Sequence, residues 1–267
     1  YMHPNGQIPA YEWCFADVNP PVHAWATWRV YKIDAKMYGQ PDRAFLEGMF
    51  HKLLLNFTWW VNKKDTEGLN IFQGGFLGMD NISVFDRSKL GFDGHVDQAD
   101  GSAWMAFFCI VMMKIALHLS EQESVYQDMA SKFFEHFLRI SAAMSNCGGK
   151  GYRLWNDEDR FFYDVLHTPN GQVIPLKVRS LVGLLPLLAV ETIDDALMQK
   201  NPIFTQRLEW LSGKRPHITC NLAAMHKPGE GKRRLLSILT REHLEAVLKY
   251  MLDEKEFLSP FGIRSVS

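Results

Sequence analysis

Residues 101–144 read GSAWMAFFCIVMMKIALHLSEQESVYQDMASKFFEHFLRISAAM. The first half is apolar on nearly every side, which predicts a helix over 101–120 enclosed in a core rather than lying on a surface. The run Ala103 to Leu119 is also the one membrane-like stretch. It carries Lys114 and His118 and falls short of the ~20 apolar residues that a span needs, so a core helix is the preferred reading. The second half predicts a companion helix over 122–144, with Tyr126, Met129, Phe133 and Phe137 on one side.

Working outward, the same pairing recurs. Trp25, Trp28 and Tyr31 recur at helical spacing between Val22 and Tyr38, and Gly39 supplies a stop. Asp42 is placed to cap a second helix to about Asn62, with Phe45, Met49, Leu53 and Phe57 on its inner face. Beyond the central pair, Asn156-Asp157-Glu158-Asp159 and Pro169-Asn170-Gly171 are turn signals between short strand-like runs, predicting a small β-hairpin insert around 151–177. Helical patterning returns at 179–191, 192–199, 202–211 and 240–252. Lys214 to Arg234 is a polar loop whose charges read as a solvated face. Seven or eight helices arriving in pairs, with unequal loops and no repeat of fixed period, predict an all-α toroid or solenoid rather than a simple bundle.

Composition narrows the function classes. The 267 residues are 47% hydrophobic with a formal net charge of −1, which gives no electrostatic footprint for nucleic acid or an anionic membrane. The four cysteines form no CxxC pair, so a zinc site of the usual spacing is not expected, and their sparseness fits a reducing, cytoplasmic setting. No signal peptide precedes the first motif. Both ends enter dense motifs directly, which reads as a chain cut at each end.

Chemistry concentrates in two loops. Gly74-Gly75-Phe76-Leu77-Gly78-Met79-Asp80-Asn81 sets a carboxylate among apolar side chains on a glycine-rich turn within the long irregular stretch 63–99. Desolvation there raises the carboxyl pKa and favours a proton donor; an Asx turn between Asp80 and Asn81 is the competing reading. Residues 1–22 read as a proline-broken loop carrying Tyr11, Glu12, Trp13, Phe15, Asp17 and, just beyond, His23. Aromatic faces there suit stacking on sugar rings and carboxylates suit hydroxyl hydrogen bonds; an aromatic staple leading into the first helix is the alternative. In the turn around 155–164, Trp155 and Asp164 are candidates to face a groove, while the acids between them lack the glycine and distal glutamate of a calcium loop. His23, His95, His118, His136 and His217 stand isolated, and there is no HExxH or GxSxG. No metal or cofactor is expected.

Several stretches together resemble glycoside hydrolase family 63, which includes glucosidase I and the mannosylglycerate hydrolases. They are 5–13 (NGQIPAYEW), 17–26 (DVNPPVHAWA), 78–81 (GMDN), 161–164 (FFYD), 176–180 (LKVRS) and 258–265 (LSPFGIRS). The similarity is greatest to the bacterial and fungal branch called simply glucosidase. The resemblance implies an incomplete (α/α)6 barrel over 1–267, inversion at the anomeric carbon, and Asp80 as general acid. It also implies a sugar pocket from Tyr11, Glu12, Trp13, Phe15, Asp17, His23, Gly78, Asn81 and Trp155. The expected substrate is an oligosaccharide or small glycoside with an α-glucosidic or related α-mannosidic bond. Inverting carboxyls stand ~6.5–9.5 Å apart, but the family's base, a glutamate after a Trp-Arg-Gly-Pro motif, has no counterpart in these residues. The base is then expected from the remainder of the parent polypeptide; a non-catalytic carbohydrate-binding toroid is the alternative.

Overall fold

The computed structural model describes residues 2–12, 14–65, 67–75, 77–79, 83, 85–87, 89–145, 154–219, 221 and 228–267, with the backbone alone at Cys14–Ala16. Strands β1 (Pro9–Tyr11) and β2 (Cys14–Val18) form an antiparallel ribbon, Pro9 facing Val18 and Tyr11 facing Cys14. The prolines that suggested an unstructured loop therefore flank or begin a ribbon, where a missing N–H is tolerated.

Helix α1 (His23–Tyr38) ends as its sequence predicts, on left-handed Gly39, whose N–H returns to Ala35. Helix α2 (Arg43–Lys64) starts on Asp42, whose carboxylate accepts from Phe45 N at 2.9 Å. Strand β3 (His95–Asp97) leads into α3 (Ala99–Leu119), followed by α4 (Val125–Met144). Helix α3 is the buried axis: Met105, Ala106, Phe108, Cys109, Met112, Ile115 and Ala116 are all enclosed. It has the length and composition of a membrane span, yet 78% of its most apolar window is buried inside the protein. Edge-on rings lock the second, third and fourth helices together. Phe57 meets Phe108 at 5.5 Å and Phe133 at 4.9 Å, and Phe50 meets Phe133 at 6.0 Å.

The predicted insert resolves into β4 (Trp155–Asn156), β5 (Phe161–Phe162), β6 (Asp164–His167) and β7 (Val173–Leu176). It is more than an appended hairpin, because β6 also pairs with β3, forming a three-stranded sheet β3-β6-β7. The helix expected at 179–191 is instead two short 3-10 turns, Leu181–Gly183 and Leu185–Leu188, leading to β8 (Val190–Asp194). Pro186 removes one helical donor, and β-branched Val190, Thr192 and Ile193 favour the extended form, with Ile193 turned inward. Helices α5 (Asp195–Lys200), α6 (Pro202–Lys214) and the single turn α7 (Pro216–Thr219) follow. Strand β9 (Arg233–Ser237) closes on β8, α8 (Arg241–Met251) is capped by Thr240, and β10 (Leu258–Ser259) pairs with β11 (Gly262–Ile263). The all-α expectation is thus corrected: the chain is about half helical, with five small sheets among the described residues.

Candidate active site

The glycine-rich loop is built around Leu77. Its side chain is buried although its backbone takes the left-handed conformation, φ 45°, which strains a non-glycine residue. Gly74 makes room for it: a Cβ there would overlap Leu77 Cδ1 and Cγ and stand 2.9 Å from Gln98 Oε1. Gln98 in turn donates from Nε2 to the Gly75 carbonyl at 2.9 Å. The stem of the loop is therefore pinned to the start of α3, Met79 packs on the core, and Gly78 is exposed. Asp80 and Asn81, the expected acid and its neighbour, lie outside the described residues, as does Trp13.

Beside this stem runs a cleft of about 280 Å³ lined by the ribbon, the end of α2, the loop stem and β3. Asp17 faces Lys63, Lys64, Gln73, Gly75, Arg87, His95 and Gln98 across it. Burial lowers the Lys64 pKa, and the Asp17 charge opposes that shift. Two ammonium groups, two amides and a carboxylate give the cleft donors and acceptors for hydroxyls and a cationic corner for an acid.

Its floor is ionic. Arg87 donates from Nη1 to Asp100 Oδ1 at 2.8 Å and to Asp164 Oδ2 at 2.9 Å, and from Nη2 to Asp100 Oδ2 at 2.8 Å. Asp164 also accepts from Ala99 N, and Asp100 from Gly101 N, both at 2.8 Å. The Arg87 and Asp100 side chains are fully enclosed and that of Asp164 is 5% exposed. Burial disfavours the guanidinium charge, but the two carboxylates outweigh it and raise the Arg87 pKa. Burial pushes the Asp164 carboxyl up to about 6 while Arg87 pulls the other way.

Of the residues expected at a sugar pocket, Asp17 lines the cleft and Gly78 continues the loop whose stem borders it. Tyr11 and Glu12 are exposed at the turn of the ribbon; Phe15 is described only by its backbone. His23 does not line the cleft. Its Nε2 donates to Asn56 Oδ1 at 2.8 Å, and Asn56 Nδ2 donates to the Gly6 carbonyl at 2.8 Å, so the ring clasps the N-terminal loop to α2. Burial lowers its pKa. Trp155 is 6% exposed and packs against Phe162 and His243. Asp164 faces Arg87 inside the protein rather than a groove. Arg87, Lys63, Lys64 and Gln98 belong to no motif that marks them in the sequence; their one signal is that they flank the glycine loop.

His95 stands alone in the sequence but not in space. His95 and His167 stack across the β3–β6 ladder beside Asp97, and these three have donor atoms that converge. Burial pushes the Asp97 carboxyl up to about 6, against the pull of His95. A larger groove of about 600 Å³ between α4 and α6 contains none of the expected residues. Glu135 on its wall pairs with both Arg139 and Arg207.

Residues 9–202 match the mannosylglycerate hydrolase MGH1-like glycoside hydrolase domain. The whole chain is 54% identical to the uncharacterised protein YMR196W of Saccharomyces cerevisiae and spans 26% of that protein's length. An uncharacterised conserved protein from Thermus thermophilus is similar in fold, with a TM-score of 0.51 at 18% identity over 87% of this chain and 67% of its own. A family 63 mannosylglycerate hydrolase from the same organism, solved in complex with glucose, gives a TM-score of 0.48 at 17% identity, covering 80% and 62%.

Proposed function

Since the chain belongs to the mannosylglycerate hydrolase MGH1-like glycoside hydrolase family, we propose that it carries the proton-donating half of an inverting glycosidase. The bond is α-glucosidic or a related α-mannosidic one, in a small glycoside or oligosaccharide. The carrying observation is the cleft in which the stem of the Asp80 loop meets Asp17, Lys63, Lys64 and Gln98. In this reading Asp80 protonates the glycosidic oxygen while a carboxylate from the remainder of the parent polypeptide takes a proton from the attacking water. The cationic corner favours a leaving group that bears a free carboxylate, as a glycoside formed through the hydroxyl of a hydroxy acid does, and mannosylglycerate is one such compound.

The test uses the full-length parent protein against α-glucosides and α-mannosides with neutral and acidic leaving groups. D80N is expected to lower kcat ~10²–10⁴-fold with folding intact. K64M is expected to raise KM for acidic leaving groups more than for neutral ones. Near-wild-type turnover by D80N would refute the assignment of the acid. The absent Trp-Arg-Gly-Pro motif motivates a second reading, a carbohydrate-binding toroid without catalysis. A parent protein that binds these glycosides and hydrolyses none would establish it.

A further inference from the structure

His95 and Asp97 are two positions apart on β3 and so project from the same face of the strand. His167 is the direct cross-strand partner of His95, which puts all three side chains on one face of the ladder. The imidazole rings lie parallel within 7°, their centroids 4.3 Å apart. Both turn their Nε2 edge toward Asp97: His167 Nε2 is 3.1 Å from Oδ2 and His95 Nε2 is 3.8 Å from Oδ1. A fourth donor, Glu67 Oε1, stands 3.5 Å from His95 Nε2. The three principal donor atoms all lie within 4.8 Å of one another.

Two further observations point to a cation. The carboxylate at the centre is 6% exposed, and the acids Glu67 and Asp65 add negative charge beside it, so the central carboxylate is poorly hydrated and in need of a counter-charge. His95 Nε2 is also buried with no hydrogen-bond partner among the described residues. Tetrahedral zinc with bonds of about 2.0–2.1 Å sets its ligand atoms about 3.4 Å apart. The His167–Asp97 spacing already matches that, and a small rotation of His95 closes the other.

We propose that His95, Asp97 and His167, with Glu67 or water in the fourth position, bind one zinc-class divalent cation across the β3–β6 ladder. Two imidazoles and one carboxylate form a borderline nitrogen–oxygen set that suits zinc, nickel or ferrous iron better than calcium or magnesium. The ion staples two strands that belong to segments about 70 residues apart in sequence. Asp97 is followed directly by Gln98, the residue that holds the Gly75 carbonyl, so an ion here also stiffens the stem of the glycine loop.

The probe is Zn²⁺ alone. Protein stripped with chelator and dialysed is titrated calorimetrically, and the metal retained after desalting is counted by mass spectrometry. One zinc per protein is expected, with a higher Tm in the zinc-loaded form, and H95Q, D97N and H167Q are each expected to weaken binding by more than the ~10–100-fold that loss of an outer-shell partner costs. Equal uptake by the wild type and by H95Q/H167Q, or none by the wild type, overturns the proposal. Should the variants fold poorly, Co²⁺ added to the wild type decides: intense visible bands of tetrahedral cobalt support the site, and only the weak octahedral spectrum of the free ion overturns it.

Discussion

Arg87→Met isolates what the buried triad does. The substitution keeps the aliphatic stem and removes a guanidinium that makes three hydrogen bonds of 2.8–2.9 Å to two enclosed carboxylates. Removing one partner from a buried ion pair costs about 3–5 kcal/mol, chiefly because the remaining charge is stranded. Here two carboxylates are stranded face to face, each keeping, among the described residues, only its backbone donor, Ala99 N or Gly101 N. We expect a loss of about 4 kcal/mol at pH 7.5, which at a urea slope of ~3 kcal/mol/M lowers the unfolding midpoint by about 1.3 M.

The pH dependence makes the test specific. Asp164, already pushed up to about 6, rises further without the guanidinium. A carboxyl whose folded-state pKa is raised above its unfolded value contributes stability at low pH that is lost as pH rises through the folded pKa. The deficit of R87M relative to wild type must therefore be largest above pH 6 and shrink toward pH 4. Urea unfolding followed by tryptophan fluorescence at pH 7.5 and 5 measures both. A deficit below 1 kcal/mol at pH 7.5, or one that does not change with pH, would refute the argument.

Two further outcomes are expected. Burial first, then Lys132 and Arg139, lower the His136 pKa from 6.5 to about 4. The fold should therefore lose on the order of 3 kcal/mol from this group as pH falls from 6.5 through 4, and H136Q should flatten the curve of unfolding free energy against pH in that window. Gly74→Ala drives a methyl group into buried Leu77. It should cost about 1–3 kcal/mol of stability and speed limited proteolysis within 74–81; a variant as stable and resistant as wild type would show that the loop stem is looser than described.

The helical frame was legible because it is written locally. The all-round apolar run of α3, the Asp42 cap and the Gly39 stop each act within a few residues, and each element stands close to where those signals place it. What the sequence hid depends on distant pairing. His95 and His167 look solitary until β3 and β6 align them, and Arg87 reaches Asp100 and Asp164, 13 and 77 positions away, past nearer acids such as Asp86 and Asp93. The expected helix at 179–191 failed because apolar content outweighed Pro186 and the β-branched run that follows. Trp155 and Asp164 are candidates for a groove because aromatic and acidic residues in a turn signal look exposed; the hairpin folds them inward instead.

The Arg87 triad also bears on the order in which the molecule assembles. Its two ion pairs join residues 13 and 77 positions apart, whereas α3 and α4 meet through a connection of only about five residues. Short-range helical contacts form early, and closure of long chain segments carries an entropic cost that defers it. The α3–α4 pair is thus expected to be the folding nucleus, with the cleft closing last as Arg87 finds both carboxylates. The same segment should be the first to open under mild stress, so that binding competence is lost while the helical core persists.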